Sequence, residues 1–268
     1  MENLLTNATA IRLGSFAGIL LVMAFWEVLA PRRKLTRSKT TRWINNLALT
    51  IANTLLARLL LPTAAVGVAL VATGKGWGVL NRLLLPEWLS VLFAIAGLDL
   101  VIYWQHRLFH RLPLLWRLHR MHHSDQDIDV TTGARFHPLE ILLSLAIKMG
   151  AVLVLGAPAG AVVAFGIILN GTAMFNHANV RLDFRVDRWL RRLVVTPDMH
   201  RVHHSVIRRE TDSNFGFNFP WWDRLFGSYR AQPDAGHLAM TIGLRNYRDQ
   251  KWLKIHWMLA TPFIRSDL

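Results

Sequence analysis

The sequence predicts an all-α integral membrane protein of about four to five transmembrane or hairpin helices, with a cytoplasmic helical cap carrying a histidine-rich site. Three observations predict it. The 268 residues are 52% hydrophobic and 18% charged, with mean hydropathy +0.26, too apolar for an ordinary soluble domain of this length. Apolar runs matched to a hydrocarbon core of about 30 Å recur along the chain. Ten of the twelve histidines crowd between His106 and His204.

The apolar runs are 11–30, 44–73 and 88–104, and each is read as a span of roughly 20 helical residues. A fourth stretch, 139–175, is interrupted by "GAPAG" at 156–160. Glycine and proline together punctuate an apolar pattern, so this stretch reads as two short helices joined by a turn. The first run is followed by a basic segment rather than a small-residue cleavage site, so it is expected to stay as an anchor. With no cysteine in the chain, disulfides and thiolate metal sites are excluded.

Charge orients the spans. The segment "PRRKLTRSKTTR" at 31–42 carries six Lys and Arg, which by the positive-inside rule puts it in the cytoplasm and the N-terminus outside. The second span then exits near 74–86 and the third returns just before His106. The 139–175 hairpin dips in and comes back, leaving 105–138 and 176–236 on the cytoplasmic face. Arginines there suit a surface resting on anionic headgroups. The same rule accounts for the net charge of +14, so no nucleic-acid partner is expected.

The histidines form three boxes: "HRLFH" (His106, His110), "HRMHHS" (His119, His122, His123) and "HRVHHS" (His200, His203, His204). On a helix, residues four apart differ by about 40° and residues three apart by about 60°, so each box projects its rings from one face. Crowding eight imidazoles together costs desolvation and, on protonation, repulsion, unless their lone pairs share a cation. One ion takes four to six ligands, so eight to ten imidazoles imply two ions, and imidazole suits Zn, Fe, Cu or Ni. The repeated hexapeptide is therefore read as two walls of one dimetal site.

The remaining histidines are weaker candidates. His137, before Pro138, falls on a loop at the cytoplasmic end of the hairpin, and His177 ends the hairpin's second arm. A lone histidine of either kind is more often a hydrogen-bonding or capping residue than a ligand. His237 and His256 read as surface histidines.

Around the boxes, Asp99 is the one acid of the third span, seven residues before His106, and a carboxylate at membrane depth points to function. It is a candidate to orient a ligating ring through its second nitrogen, or else to bond Tyr103 or a neighbouring helix. Ser124 and Ser205 are expected to support their boxes. Trp221, Trp222 and Asp223 are expected to anchor the cap at the interface. Trp104, Phe109 and Phe136 are candidates for a lipid entrance, belt or core.

Together the three boxes, the preceding "DLVIYW" and the closing "SNFGFNFPWWDRLFGSY" resemble the fatty acid hydroxylase superfamily, which includes sterol desaturases and alkylglycerol monooxygenase, over about 95–230. The resemblance implies a membrane-embedded non-haem di-iron oxygenase with two Fe ions held by histidines. His106, His110, His119, His122, His123, His200, His203 and His204 match its eight-histidine motif, and His137 and His177 match further ligands of some members. It implies a membrane lipid substrate, hydroxylated or desaturated with O2. No cytochrome b5-like domain is apparent, so electrons are expected from a separate protein of ferredoxin or cytochrome b5 type, and a bacterial inner membrane is favoured over endoplasmic reticulum. The chain divides into N-terminal transmembrane helices at 1–85, a catalytic unit at 86–236 and a C-terminal segment at 237–268.

A zinc-dependent membrane hydrolase is the alternative, since the same imidazoles hold zinc and its water, but no general base is evident beside a box. Isolated protein is also expected to take up zinc, which imidazole sites bind more tightly than Fe2+. A metal transporter or haem subunit fits less well, because the boxes cluster outside the spans.

Overall fold

The computed structural model describes residues 7–264, and every element below belongs to them. Five segments are long and apolar enough to cross a membrane. They are α1 (Ala8–Leu29), the pair α2 (Lys39–Leu60) and α3 (Ala64–Lys75), α4 (Glu87–Arg111), α6 (Pro138–Leu155) and α7 (Ala159–His177), with α5 (Pro113–His123) between α4 and α6. No strand occurs among the described residues, whose only β pairing is two isolated bridges. The chain is an all-helical, multi-pass integral membrane protein. Its spans expose large apolar side chains such as Leu21, Phe25, Leu55, Leu59 and Phe93, the surface that hydrocarbon accepts and water does not.

The second span is one crossing made of two helices. The expected 44–73 run breaks at Leu61, Pro62 and Thr63, because proline lacks the N–H that would continue the helix. Asn53 of α2 donates to the Phe136 carbonyl, beside the start of α6. Beyond α3, a Cβ on Gly78 would sit 2.1 Å from the Gly156 nitrogen, at the far end of α6. Both glycines have positive φ, so these two turns meet backbone to backbone where no side chain fits. The turn predicted at "GAPAG" is this Gly156 cap between α6 and α7.

The first half of α2 is spent on polar chemistry. Arg42, Asn46, Leu49 and Asn53 form one buried face. Arg42 donates to Asp125 at 2.8 Å and to Asp129, Asn46 bonds Thr131 and Arg135, and Thr50 donates to the Ala134 carbonyl. Burial opposes the charge on Asp125, but Arg42 outweighs it and holds that carboxyl at about 2. Removing one member of such a buried pair typically costs about 3–5 kcal/mol. This ladder fastens 125–136 over the bundle.

The cap continues with α8 (Phe184–Leu190), α9 (Pro197–His203), α10 (Arg208–Thr211), α11 (Trp221–Leu225), α12 (Gly236–Ala239) and α13 (Ile255–Ala260). The basic segment after α1 lies on the cap: Arg32 forms a paired contact with Asp198, Thr36 and Arg37 donate backbone N–H groups to Asp127, and Arg33 reaches the Met240 carbonyl. Segment 31–42 and the histidines therefore share one end of the bundle.

Candidate metal centre

Local sequence sets where the boxes sit. Pro113 opens α5 and Pro197 opens α9, where a missing N–H is harmless, and Thr196 caps α9 by accepting from Met199. α5 ends at His123 and α9 at His203, so both hexapeptides fall in the closing turn of a helix. His106 and His110 lie on the last turns of α4, and His177 is the final residue of α7.

Nine histidines, all buried, make two groups. His106, His110, His119, His123 and His203 offer nitrogens within 4.8 Å of one another, as do His122, His177, His200 and His204. Each i,i+4 pair stays within one group: 106 with 110, 119 with 123, 200 with 204. The residue three or one away, His122 or His203, joins the other. Each hexapeptide thus serves both groups, the second with its roles exchanged. The expected single-faced boxes are split between two positions because the rings straddle the boundary between them.

Hydrogen bonds fix which nitrogen five of the rings present. The Nδ1 atoms of His106, His122, His177 and His203 lie 2.8, 3.1, 2.7 and 2.7 Å from the carbonyls of Phe215, Arg135, Ala173 and Ser213. A carbonyl has no proton to give, so each Nδ1 is the donor and each Nε2 carries the lone pair. His119 Nδ1 lies 2.6 Å from Glu140 Oε1. His177 Nε2 nevertheless lies 3.1 Å from the Nε2 atoms of both His122 and His200. Two lone pairs face each other between His122 and His177, an arrangement that a shared cation stabilises.

The inward nitrogens of His106, His119, His123 and His203 have no hydrogen-bond partner, and neither ring nitrogen of His204 has one. Burial and the neighbouring imidazoles hold His122, His123, His200 and His204 well below the usual range and His203 down to about 3. These rings are neutral at pH 7, the form that binds metal. The donor set fits a metal ion in each group.

Several expected residues lie elsewhere. His137 joins neither group: it caps α6, accepting from Leu139 N, and its Nε2 is 3.2 Å from the Leu259 carbonyl. Asp99 hydrogen-bonds neither an imidazole nor Tyr103. It accepts from Asn218 Nδ2, Trp222 Nε1 and Phe219 N, holding the segment whose Phe215 carbonyl orients His106. Tyr103 bonds Ser228 instead. Of the expected interfacial anchors, Trp221 is exposed, whereas Trp222 serves Asp99 and Asp223 is buried. Asp223 accepts from the Phe215 and Gly216 amides and from Ser228, with burial pushing its carboxyl up to about 6. Ser124 bridges Met121 O and Arg135, and Ser205 accepts from Ile207 N. His256 is exposed as expected. His237 is instead buried, 3.5 Å from Asp198.

Two carboxylates escape sequence reading. Glu140 is the only acid in 139–175, a carboxylate in an apolar stretch like Asp99, and that is the signal that marks it. Asp212, 3.4 Å from His110 Nδ1, carries no such signal.

The fold and site define a membrane-embedded protein with two buried histidine groups that could hold metal ions. The family profile described as fatty acid hydroxylase matches residues 91–228, and the chain belongs to that family. It is 30% identical to the ornithine lipid hydroxylase OlsE of Rhizobium tropici over 181 residues, 68% of this chain and 52% of that protein. It is 29% identical to human alkylglycerol monooxygenase over 159 residues, 59% of this chain and 34% of that one. With mouse lathosterol oxidase the figures are 28% over 150 residues, 53% and 47%. The chain therefore spans about half or less of the curated relatives it matches. No solved structure gave a significant match.

Proposed function

We propose that the protein is a non-haem di-iron oxygenase that hydroxylates, or desaturates, a C–H bond of a membrane lipid. The observation that carries this reading is the pair of lone-pair nitrogens 3.1 Å apart between His122 and His177, within a buried set of nine imidazoles. One ion would be held by His106, His110, His119, His123 and His203, and the other by His122, His177, His200 and His204. When bound, reduced iron supplies the electrons and the O2 chemistry that unactivated C–H bonds require. The hydroxylation balances as R–H, O2, two electrons and two protons giving R–OH and water, so a separate electron-donor protein of ferredoxin or cytochrome b5 type is part of the reading.

This chain's residues supply neutral ligands, fixed ring orientation and exclusion of water. Glu140 and Asp212 lie beside imidazole Nδ1 atoms, which leaves neither carboxylate placed as the free base that a zinc hydrolase uses. The six cations of 31–42 lie at the histidine end of the bundle, and by the positive-inside rule that end is cytoplasmic, in a bacterial inner membrane on this reading.

The test is mass spectrometry of lipids from a host expressing the protein beside His203→Ala, with iron, oxygen and a working donor. A lipid gaining one oxygen or losing two hydrogens with the unaltered protein alone is the expected result. No shifted lipid, with iron confirmed in both positions, overturns the proposal.

A further inference from the structure

One cavity in the cap reaches a metal-group histidine. It has a volume of about 400 Å³ and is lined by His110, Trp116, Arg208, Asp212, Arg245 and Tyr247 among others. Another cavity, near Trp77, Gly78 and Val154, lies at the opposite end of the bundle, where Gly78 meets Gly156. We infer that the cap cavity binds the anionic headgroup, carboxylate or phosphate, of a membrane lipid, so that oxidation of that lipid falls within a few carbons of the headgroup. This inference rests on the oxygenase reading for its second clause only.

Size and lining point the same way. Cavities of about 300–1,000 Å³ hold small ligands, and this one is too small for a folded partner to enter. Its floor is His110, and the Trp116 ring lies against His110 and His123 at 5.0 and 5.4 Å between centroids. Its mouth carries Arg208, with a side chain 73% exposed, and Arg245, also exposed. Arg208 meets Asp212 at 3.2 Å, and Asp212 in turn is 3.4 Å from His110. Two guanidinium groups at the mouth against one carboxylate leave an excess of positive charge, and guanidinium pairs with carboxylate or phosphate in two-point fashion. Val206 and Leu244 supply apolar wall for the first carbons of a chain. An anion held at the mouth leaves the carbons next to it at the floor, beside the histidines.

The experiment uses the full chain in an uncharged detergent, loaded with Zn2+, and isothermal titration with dodecanoate, dodecyl phosphate and dodecanol. The anionic probes are expected to bind about tenfold more tightly than dodecanol, and the ratio between them distinguishes carboxylate from phosphate. Arg208→Gln with Arg245→Gln, both on the surface, removes that preference while zinc content stays the same. Equal binding of all three probes, or a preference that survives in the double variant, overturns the site. If the double variant binds the probes normally but its iron-loaded form is reduced more slowly by the donor, the arginines dock that donor and the inference also falls. In the cellular lipid experiment, fragmentation is expected to place the new oxygen beside the headgroup, and a mid-chain position overturns the second clause. Anion preference without any oxidised lipid defeats the oxygenase reading and leaves the binding site standing.

Discussion

The Glu140 carboxylate lies 2.6 Å from His119 Nδ1, across the gap between the first turn of α6 and the last turns of α5. A carboxylate behind a ligating imidazole fixes its tautomer and raises its basicity, and losing such a partner typically costs 10–100-fold in metal affinity. Glu140→Leu is therefore expected to weaken binding of one ion about tenfold or more, while the four-histidine group, where carbonyls stand behind His122 and His177, keeps its affinity. Titration of metal-free protein with Co2+, followed by its visible absorption, reads the two positions separately. Two unchanged affinities would sink the idea.

Asp99 is a clamp on the 218–222 segment rather than an orienting partner of a ring. Replacing it with Asn swaps part of the acceptor for a donor facing Asn218 Nδ2 and Trp222 Nε1, and leaving buried groups unpaired costs about 1–3 kcal/mol each. The expected result is a lower Tm with the number of bound metal ions unchanged. Loss of an ion at unchanged Tm would mean that Asp99 acts on the metal after all.

His137 and His177 are expected to separate. Asn is an effective N-cap, so His137→Asn keeps both ions and loses about 1 kcal/mol of stability or less. His177→Ala removes the ring that meets both His122 and His200, and the four-histidine group then fails to fill. Metal analysis of the two variants side by side decides it. An ion lost with His137→Asn restores that residue to the ligand set.

His237 gives a pH test away from the metal groups. Burial, outweighing nearby Asp198, holds its imidazole down at about 4, below the roughly 6.5 of an unfolded histidine. A depressed pKa means that the unfolded chain takes up the proton first. Stability present above pH 6.5 is therefore lost as pH falls towards 4, by at most ~1.4 kcal/mol per unit. His237→Gln is expected to lose less stability than the unaltered protein between pH 7 and 4.5 in parallel thermal melts. Identical acid limbs would show that His237 takes up its proton as readily in the folded as in the unfolded chain.

Much of this protein was legible because it is written locally. A hydrocarbon span needs about 20 apolar residues, and the repeated i,i+4 histidines state their helical facing without reference to the rest of the fold. Proline at the first position of α5, α6 and α9 marks those starts as well. Where expectation and structure part, the deciding partner is distant. Asp99 finds Asn218, 119 residues on, instead of Tyr103 on its own helix, and His237 is buried against Asp198 because the cap closes over it.

The sequence by itself determined a multi-pass helical membrane protein with its imidazoles gathered at one end of the bundle, since apolar length and helical periodicity are properties of short segments. Only the tertiary structure decided how nine rings divide into two groups, which nitrogen each ring turns inward, and which carboxylates stand behind them. Those choices depend on carbonyl and carboxylate partners brought from elsewhere in the chain, such as Phe215 for His106 and Glu140 for His119. Residue spacing fixes a ring's direction on its own helix, whereas its tautomer is set by whatever the packed fold places against its other nitrogen.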